Sequence, residues 1–212
     1  MYKTVLFDFD GTVYDTVEGI TKSVRYAMNK HGMDKPLEEL RCFAGPPLLD
    51  MFMSVCGVDE AQAEQMVADY RERYRPIGLH ECQLFPGIKE ILIKLKEQGI
   101  KTGITTIKPQ EMAEMLLERE GMLDLFDVIY GSTGPKSSTK DALVQKAMET
   151  LGSEEESTVL VGDTKYDILG AHARGIRAIG VRYGYAAENE LETAGADYIA
   201  EDMAELEKLL LG

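Results

Sequence analysis

Tryptophan is absent from this chain, and cysteine and histidine occur only three times each. Cys42, Cys56 and Cys82 are scattered and odd in number, which argues against a disulfide framework or a closely spaced zinc site. They fit a reducing compartment, and a cytoplasmic location is expected. His31, His80 and His172 show no pairing suited to zinc, so structural roles are expected for them. No apolar run approaches the roughly 18 residues of a membrane-spanning helix. A secretory leader is not expected either, because MYKTVLFDFDGT sets carboxylates straight after a short apolar run and has no small-residue cleavage site. Positive charge is also scarce. With 23 basic against 37 acidic residues the formal charge is −14, which makes polymeric nucleic acid a poor partner. A small phosphorylated metabolite still fits, since a divalent cation and a few lysines can reverse the field inside one pocket. Most of the glutamates read as solvated surface.

The 212 residues, 44% of them hydrophobic, suffice for a core with a smaller attached domain. Thr4–Phe9 (TVLFDF) has the apolar, β-branched character of a central strand, broken by Asp10-Gly11-Thr12. Helices are predicted over 16–31 and 59–75, with Pro36 and Gly45-Pro46-Pro47 as punctuation between them. No convincing strand lies between 16 and 82. From Phe85 the rhythm changes: a helix through about Gln98, a strand over Gly103–Thr106, and a helix with Pro109 in its first turn. A strand near Val128–Tyr130, a helix over 140–151, a strand at Thr158–Val161, a helix over 167–174, a strand at Ala178–Val181 and a helix after Asp202 follow. Short strands alternating with longer helices predict an α/β fold: a mostly parallel sheet with helices on both faces. The helical stretch reads as an insertion after the first strand, placed to cover a site at the carboxyl ends of the strands. The expected domains are a core of 1–15 and 83–212 and a cap of 16–82.

Asp8-Phe9-Asp10-Gly11-Thr12 is the main chemical signal. Alternation along a strand would place Asp8 and Asp10 on one side at its end. Such close carboxylates repel, and a divalent cation would justify them. Gly11 permits a tight exit that brings N–H groups near an anion. The second signal is Gly162-Asp163-Thr164-Lys165-Tyr166-Asp167 after an apolar strand. One of Asp163 and Asp167 can meet a cation directly while the other holds a metal-bound water, and hard oxygen ligands favour magnesium over zinc. The structural alternative for either is an N-cap. Thr106, at a strand end, can hold a phosphate oxygen; its neighbour Thr105 leaves the register open by one. Lys140 can neutralise an attacking carboxylate, and by spacing alone Lys136 competes with it.

Taken together these segments resemble the haloacid dehalogenase superfamily, in the branch of phosphatases with a helical cap inserted after the first motif. The likeness is to its phosphoglycolate phosphatase and nucleotidase-like members. The first motif, DxDGT, matches residues 8–12; the second matches Thr106; the third matches Lys140 in KDALV; the fourth, GDxxxD, matches Gly162, Asp163 and Asp167. DILGAHARGI, IGVRYGY, Gly45-Pro46-Pro47-Leu48 and YRERY extend the likeness over nearly the whole chain. The resemblance implies a Rossmann-like core and magnesium-dependent hydrolysis of a small phosphomonoester, with phosphoglycolate or a nucleoside monophosphate as substrate. It implies Asp8 as nucleophile and Asp10 as general acid and base. It also implies magnesium on Asp8, the Asp10 carbonyl and Asp163, with Asp167 in support, and phosphate held by Gly11, Thr12, Thr106 and Lys140. Ile107 departs from the branch, which usually has Ser or Asn there. A phosphomutase of the β-phosphoglucomutase type, or a non-catalytic protein of the same fold, is the alternative. Lys22, Arg25, Arg71, Arg75 and Tyr14 are further candidate substrate contacts, each with surface or core packing as its alternative. Either a monomer or a homodimer is compatible with the sequence.

Overall fold

The computed structural model describes residues 1–133 and 139–212. The chain forms two compact units, one of Met1–Tyr14 with Leu84–Gly212 and one of Asp15–Gln83. The strands are β1 (Thr4–Phe7), β2 (Tyr14–Asp15), β3 (Gln83–Leu84), β4 (Lys101–Pro109), β5 (Val128–Ser132), β6 (Thr158–Gly162), β7 (Arg177–Val181) and β8 (Tyr198–Ala200). The helices are α1 (Val17–Lys30), α2 (Leu48–Cys56), α3 (Glu60–Tyr74), α4 (Ile88–Glu97), α5 (Gln110–Arg119), α6 (Lys140–Leu151), α7 (Lys165–His172), α8 (Glu190–Thr193) and α9 (Met203–Leu211).

In the first unit six strands run in the order β5-β4-β1-β6-β7-β8, and every paired neighbour is parallel. Parallel strands need crossovers, and the intervening helices supply them, so a central strand is buried on both faces. That is why β1 and β6 read TVLF and TVLVG rather than alternating with polar residues: every position in both is buried. β1 lies between β4 and β6, with Phe7 level with Ile104 on one side and Val161 on the other. This register brings the ends of three strands to one place. Helices pack on the sheet through Val144, Ala147, Ile168 and Ala171, which meet Leu6, Leu160 and Ala178. The fold class is the expected one, a doubly covered parallel sheet with a helical insertion after the first strand.

The second unit is helical apart from the strand residues Asp15 and Gln83 at its ends. Phe43 and Phe52 meet at 5.1 Å and Tyr70 stacks on Tyr74 at 5.0 Å. Buried Asp69 is held by Lys30 and, at 2.9 Å, by His31 Nε2. Asp59 caps α3 by accepting from Gln62 N–H at 2.9 Å. Among the described residues no helix is long and apolar enough to cross a membrane.

Several boundaries differ from the sequence reading for local reasons. β1 stops at Phe7, two residues early, because the chain turns at Gly11, whose φ is +83°. β4 runs on to Pro109, which ends the strand in an extended conformation (φ −53°, ψ 128°) and precedes α5 instead of lying in its first turn. α7 starts at Lys165 because Thr164 and Asp167 form a capping box. α2 went unrecognised because Pro46-Pro47 reads as a break, whereas Pro47 stands at its N-cap. Leu160 is fully buried in β6 within the main apolar cluster. Leu160→Ala is expected to cost about 2–5 kcal/mol, read as a lower denaturation midpoint in urea; a loss within error of zero would show that this strand is not central to the core.

Candidate active site

The site stands at the carboxyl ends of β1, β4 and β6, where the parallel strands stop and the loops diverge. Asp8 follows β1 directly, and its N–H still donates to Val161 O at 2.8 Å, so the ladder holds its backbone although the strand has ended. Asp10 is placed by the turn and not by strand alternation. Val13 and Tyr14 N–H both donate to Phe9 O at 3.0 Å, and Gly11 N–H donates to Tyr14 O at 2.8 Å. The N–H groups of Gly11 and Thr12 close this turn. Thr12 N–H reaches Phe9 O at 3.4 Å, and the Thr12 hydroxyl donates to Asp163 Oδ1 at 3.3 Å.

Asp163, fully buried after β6, is confined from several sides. A Cβ on Gly11 would come within 2.0 Å of its Oδ2, and one on Gly184 would come within 2.2 Å of its Cβ. Both positions need glycine because backbone approaches a carboxylate there. Tyr185 N–H donates to Asp163 Oδ2 at 2.8 Å, while the Tyr183 hydroxyl donates to Thr12 O at 3.2 Å. IGVRYGY was part of the sequence resemblance, but nothing in its pattern said that it would wrap Asp163.

Asp167 does two things. Its Oδ2 accepts from Thr164 N–H at 3.0 Å and from the Thr164 hydroxyl at 2.9 Å, so Asp167 closes a capping box from the third helical position while Thr164, not Asp167, is the N-cap. Its Oδ1 is buried against the Lys140 ammonium, whose Nζ stands 2.7 Å away. Lys140, first residue of α6, is buried and also donates to Asp8 Oδ1 at 2.7 Å and to Thr105 O at 2.8 Å. Lys136, its competitor by spacing, lies outside the described residues.

One carboxylate oxygen from each of Asp8, Asp163 and Asp167 lies within 4.8 Å of the others. Three buried carboxylates against one ammonium leave an excess of negative charge. Burial pushes the Asp8 carboxyl up to about 6; Lys140 pulls against this, and Asp167 and Asp10 add to it. Asp163 is raised well above the ordinary carboxylate range, by burial first and then by Asp167 and Asp8. Burial works to lower Lys140, but Asp167 and Asp8 outweigh it and hold the ammonium protonated. The Asp10 carboxylate stands outside the three-carboxylate cluster and faces Lys108, whose Nζ is 3.0 Å from Oδ1. Lys108 does not figure among the sequence expectations; its place two residues past Thr106 is the available signal.

Thr106 is buried, and its Oγ1 accepts from Lys108 N–H at 3.2 Å, which leaves its own proton to donate. Of the other candidates, Lys22 is tied to Glu18 at 2.5 Å and Glu81 at 3.2 Å, and Arg25 to Asp34 at 2.7 Å. Arg71 and Arg75 are exposed. Tyr14 is a core residue, stacked on Phe9 at 4.8 Å with its hydroxyl donating to Leu116 O at 2.8 Å.

A family model described as haloacid dehalogenase-like hydrolase matches residues 5–181, a span that holds Asp8, Asp10, Lys140, Asp163 and Asp167. The chain belongs to that family. It is 39% identical over 211 residues to a 5'-nucleotidase of Pseudomonas aeruginosa, covering 99% of this chain and 96% of that protein. It is 34% identical to the pyrophosphatase PpaX of Halalkalibacterium halodurans, covering 96% and 94% respectively. Among solved structures, one described as a predicted phosphatase from Clostridium acetobutylicum superposes with a TM-score of 0.94 at 38% identity, covering 100% of this chain and 99% of that one. A haloacid dehalogenase-like family hydrolase from Streptococcus pneumoniae superposes at 0.90 with 32% identity, covering 98% of each chain. With this family, this fold and this carboxylate cluster, the haloacid dehalogenase-like chain is a phosphatase.

The two adjacent threonines within β4, Thr105 and Thr106, give a direct test of register. Thr105 is fully buried and its Oγ1 has no hydrogen-bond partner among the described residues, whereas Lys140 uses only its backbone oxygen. Thr105→Val removes an unsatisfied hydroxyl and is expected to raise stability by up to about 1 kcal/mol with phosphate release unchanged, measured by urea unfolding and a phosphate assay. A large loss of activity would make Thr105 the functional hydroxyl.

Proposed function

We propose that this haloacid dehalogenase-like phosphatase is a magnesium-dependent nucleoside monophosphatase that works through an aspartyl-phosphate on Asp8. The observation that carries the mechanism is the buried contact of Lys140 Nζ with Asp8 Oδ1 at 2.7 Å beside two further buried carboxylates. The similarity to the Pseudomonas aeruginosa 5'-nucleotidase, over nearly the full length of both chains, favours the nucleoside monophosphate over phosphoglycolate. The similarity to the pyrophosphatase of Halalkalibacterium halodurans makes inorganic pyrophosphate the second reading.

The residues fit a hard divalent cation. Asp8, Asp163 and Asp167 would hold magnesium: their oxygens are clustered and no soft ligand stands in the cluster. Bound there, magnesium supplies positive charge against the carboxylates and the phosphoryl oxygens. The chain does the rest. Asp8 attacks phosphorus and forms the acyl phosphate as the bond to the leaving oxygen breaks. Asp10 gives that oxygen a proton, then takes one from the water that attacks phosphorus, which restores the Asp8 carboxylate and frees inorganic phosphate. Lys140 and the Thr106 hydroxyl orient and neutralise the phosphoryl oxygens. The free thiols Cys42, Cys56 and Cys82 accord with a cytoplasmic setting.

Phosphate release should be measured on nucleoside monophosphates, phosphoglycolate, pyrophosphate and hexose phosphates, with magnesium and with chelator. Magnesium-dependent release led by a nucleoside monophosphate is expected, and Asp8→Asn should lower it by at least about 10³-fold. Pyrophosphate as the preferred substrate would favour the second reading; an Asp8→Asn variant of undiminished activity would refute the mechanism.

The raised carboxyls also fix a pH dependence. With Asp8 near 6 when folded against 3.8 when unfolded, the native state binds more protons in that interval, so the metal-free protein loses stability as pH rises through it. Magnesium needs the ionised carboxylates and competes with those protons. The rise in Tm on adding magnesium is therefore expected to be small near about pH 5 and to grow as pH rises through the Asp8 value of about 6. A rise that is independent of pH would contradict the assignment of the cation to these carboxylates.

A further inference from the structure

Lys108 takes no part in the reaction as described above, yet it is built into the site. Its side chain is only 3% exposed, and its Nζ lies 3.0 Å from Asp10 Oδ1 and 3.4 Å from Oδ2. A buried ammonium is costly unless a carboxylate offsets it, so its placement here implies a partner held in a definite position. Two features aim the side chain. The register between β4 and β5 shifts between Thr105 and Pro109, an irregularity of the sort that redirects a side chain next to a site. The Lys108 N–H also turns back onto Thr106 Oγ1 at 3.2 Å. The ammonium lies 5.7 Å from the centroid of the Phe9 ring, between the two aspartates in sequence. Each of those aspartates thus has its own lysine: Lys140 on Asp8 at 2.7 Å, Lys108 on Asp10 at 3.0 Å.

We propose that Lys108 is a positioning residue that fixes the Asp10 carboxyl group in the orientation from which its proton reaches the leaving oxygen. One ammonium within reach of both carboxylate oxygens restrains rotation about the last side-chain bond of Asp10. In the step concerned the phosphorus–oxygen bond breaks, the leaving oxygen takes the proton of Asp10, and Lys108 keeps all of its own. The inference rests on Asp10 being the proton carrier, as proposed above.

The test compares leaving groups. A nucleoside monophosphate expels an alkoxide and needs the proton; p-nitrophenyl phosphate expels a stable phenolate and does not. The ratio of kcat/KM for these two substrates, measured on one preparation, does not depend on how much of a variant is folded. In Lys108→Met the ratio is expected to shift against the nucleoside monophosphate by about 10- to 100-fold, and in Asp10→Asn by at least as much. A lysine that only supported the fold, or that bound the phosphoryl group, would lower both substrates in parallel. An unchanged ratio in Lys108→Met beside a shifted one in Asp10→Asn overturns this inference alone. An unchanged ratio in both variants overturns the role of Asp10 and the inference with it.

Discussion

The ammonium of Lys140, buried against Asp8 and Asp167, is the contact on which the rest of the site depends. Leaving three carboxylates within a few ångströms of each other and out of water is possible only if something opposes their repulsion. Lys140 supplies part of that opposition and also grips Thr105 O, so one side chain ties α6 to the ends of β1 and β4. A charge imbalance remains, expressed in the raised Asp8 and Asp163 carboxyls, and it is this imbalance that calls for a cation.

The parallel sheet delivers these groups. β1, between β4 and β6, places Asp8 beside the ends of its two neighbours, and the turn at Gly11 brings backbone close to Asp163. Gly184 does the same from the loop after β7. Asp163 is consequently fixed by backbone as much as by side chains, with the Thr12 hydroxyl on one oxygen and Tyr185 N–H on the other. Asp10 is on a different footing: it belongs to the turn and is held through Lys108.

Much of this could be read from the sequence because the signals are local. Apolar β-branched runs ending in Asp8 and Asp163 identify buried parallel strands, and Thr106 and Lys140 follow between them in the chain. What was missed depends on long-range contact or on competing local uses. The turn after β1 uses the N–H groups of Gly11 and Thr12, a pairing that no local pattern announces. Asp167 offered a cap or a metal ligand as alternatives; its Oδ2 serves the capping box and its Oδ1 meets Lys140. Lys108 could not be distinguished from a solvated lysine by spacing, since its burial follows from the irregular end of β4. The short α8 and β8 have too little pattern of their own and form against β7 and α7.

The central claim is that Asp163, with Asp8 and Asp167, binds a divalent cation that the buried charge requires. Calorimetric titration of magnesium into the native protein and into Asp163→Asn, at neutral pH and without substrate, tests it most directly. The account predicts one binding event in the native protein and a loss of affinity of about 100-fold or more in Asp163→Asn. Equal binding by the two proteins would contradict it.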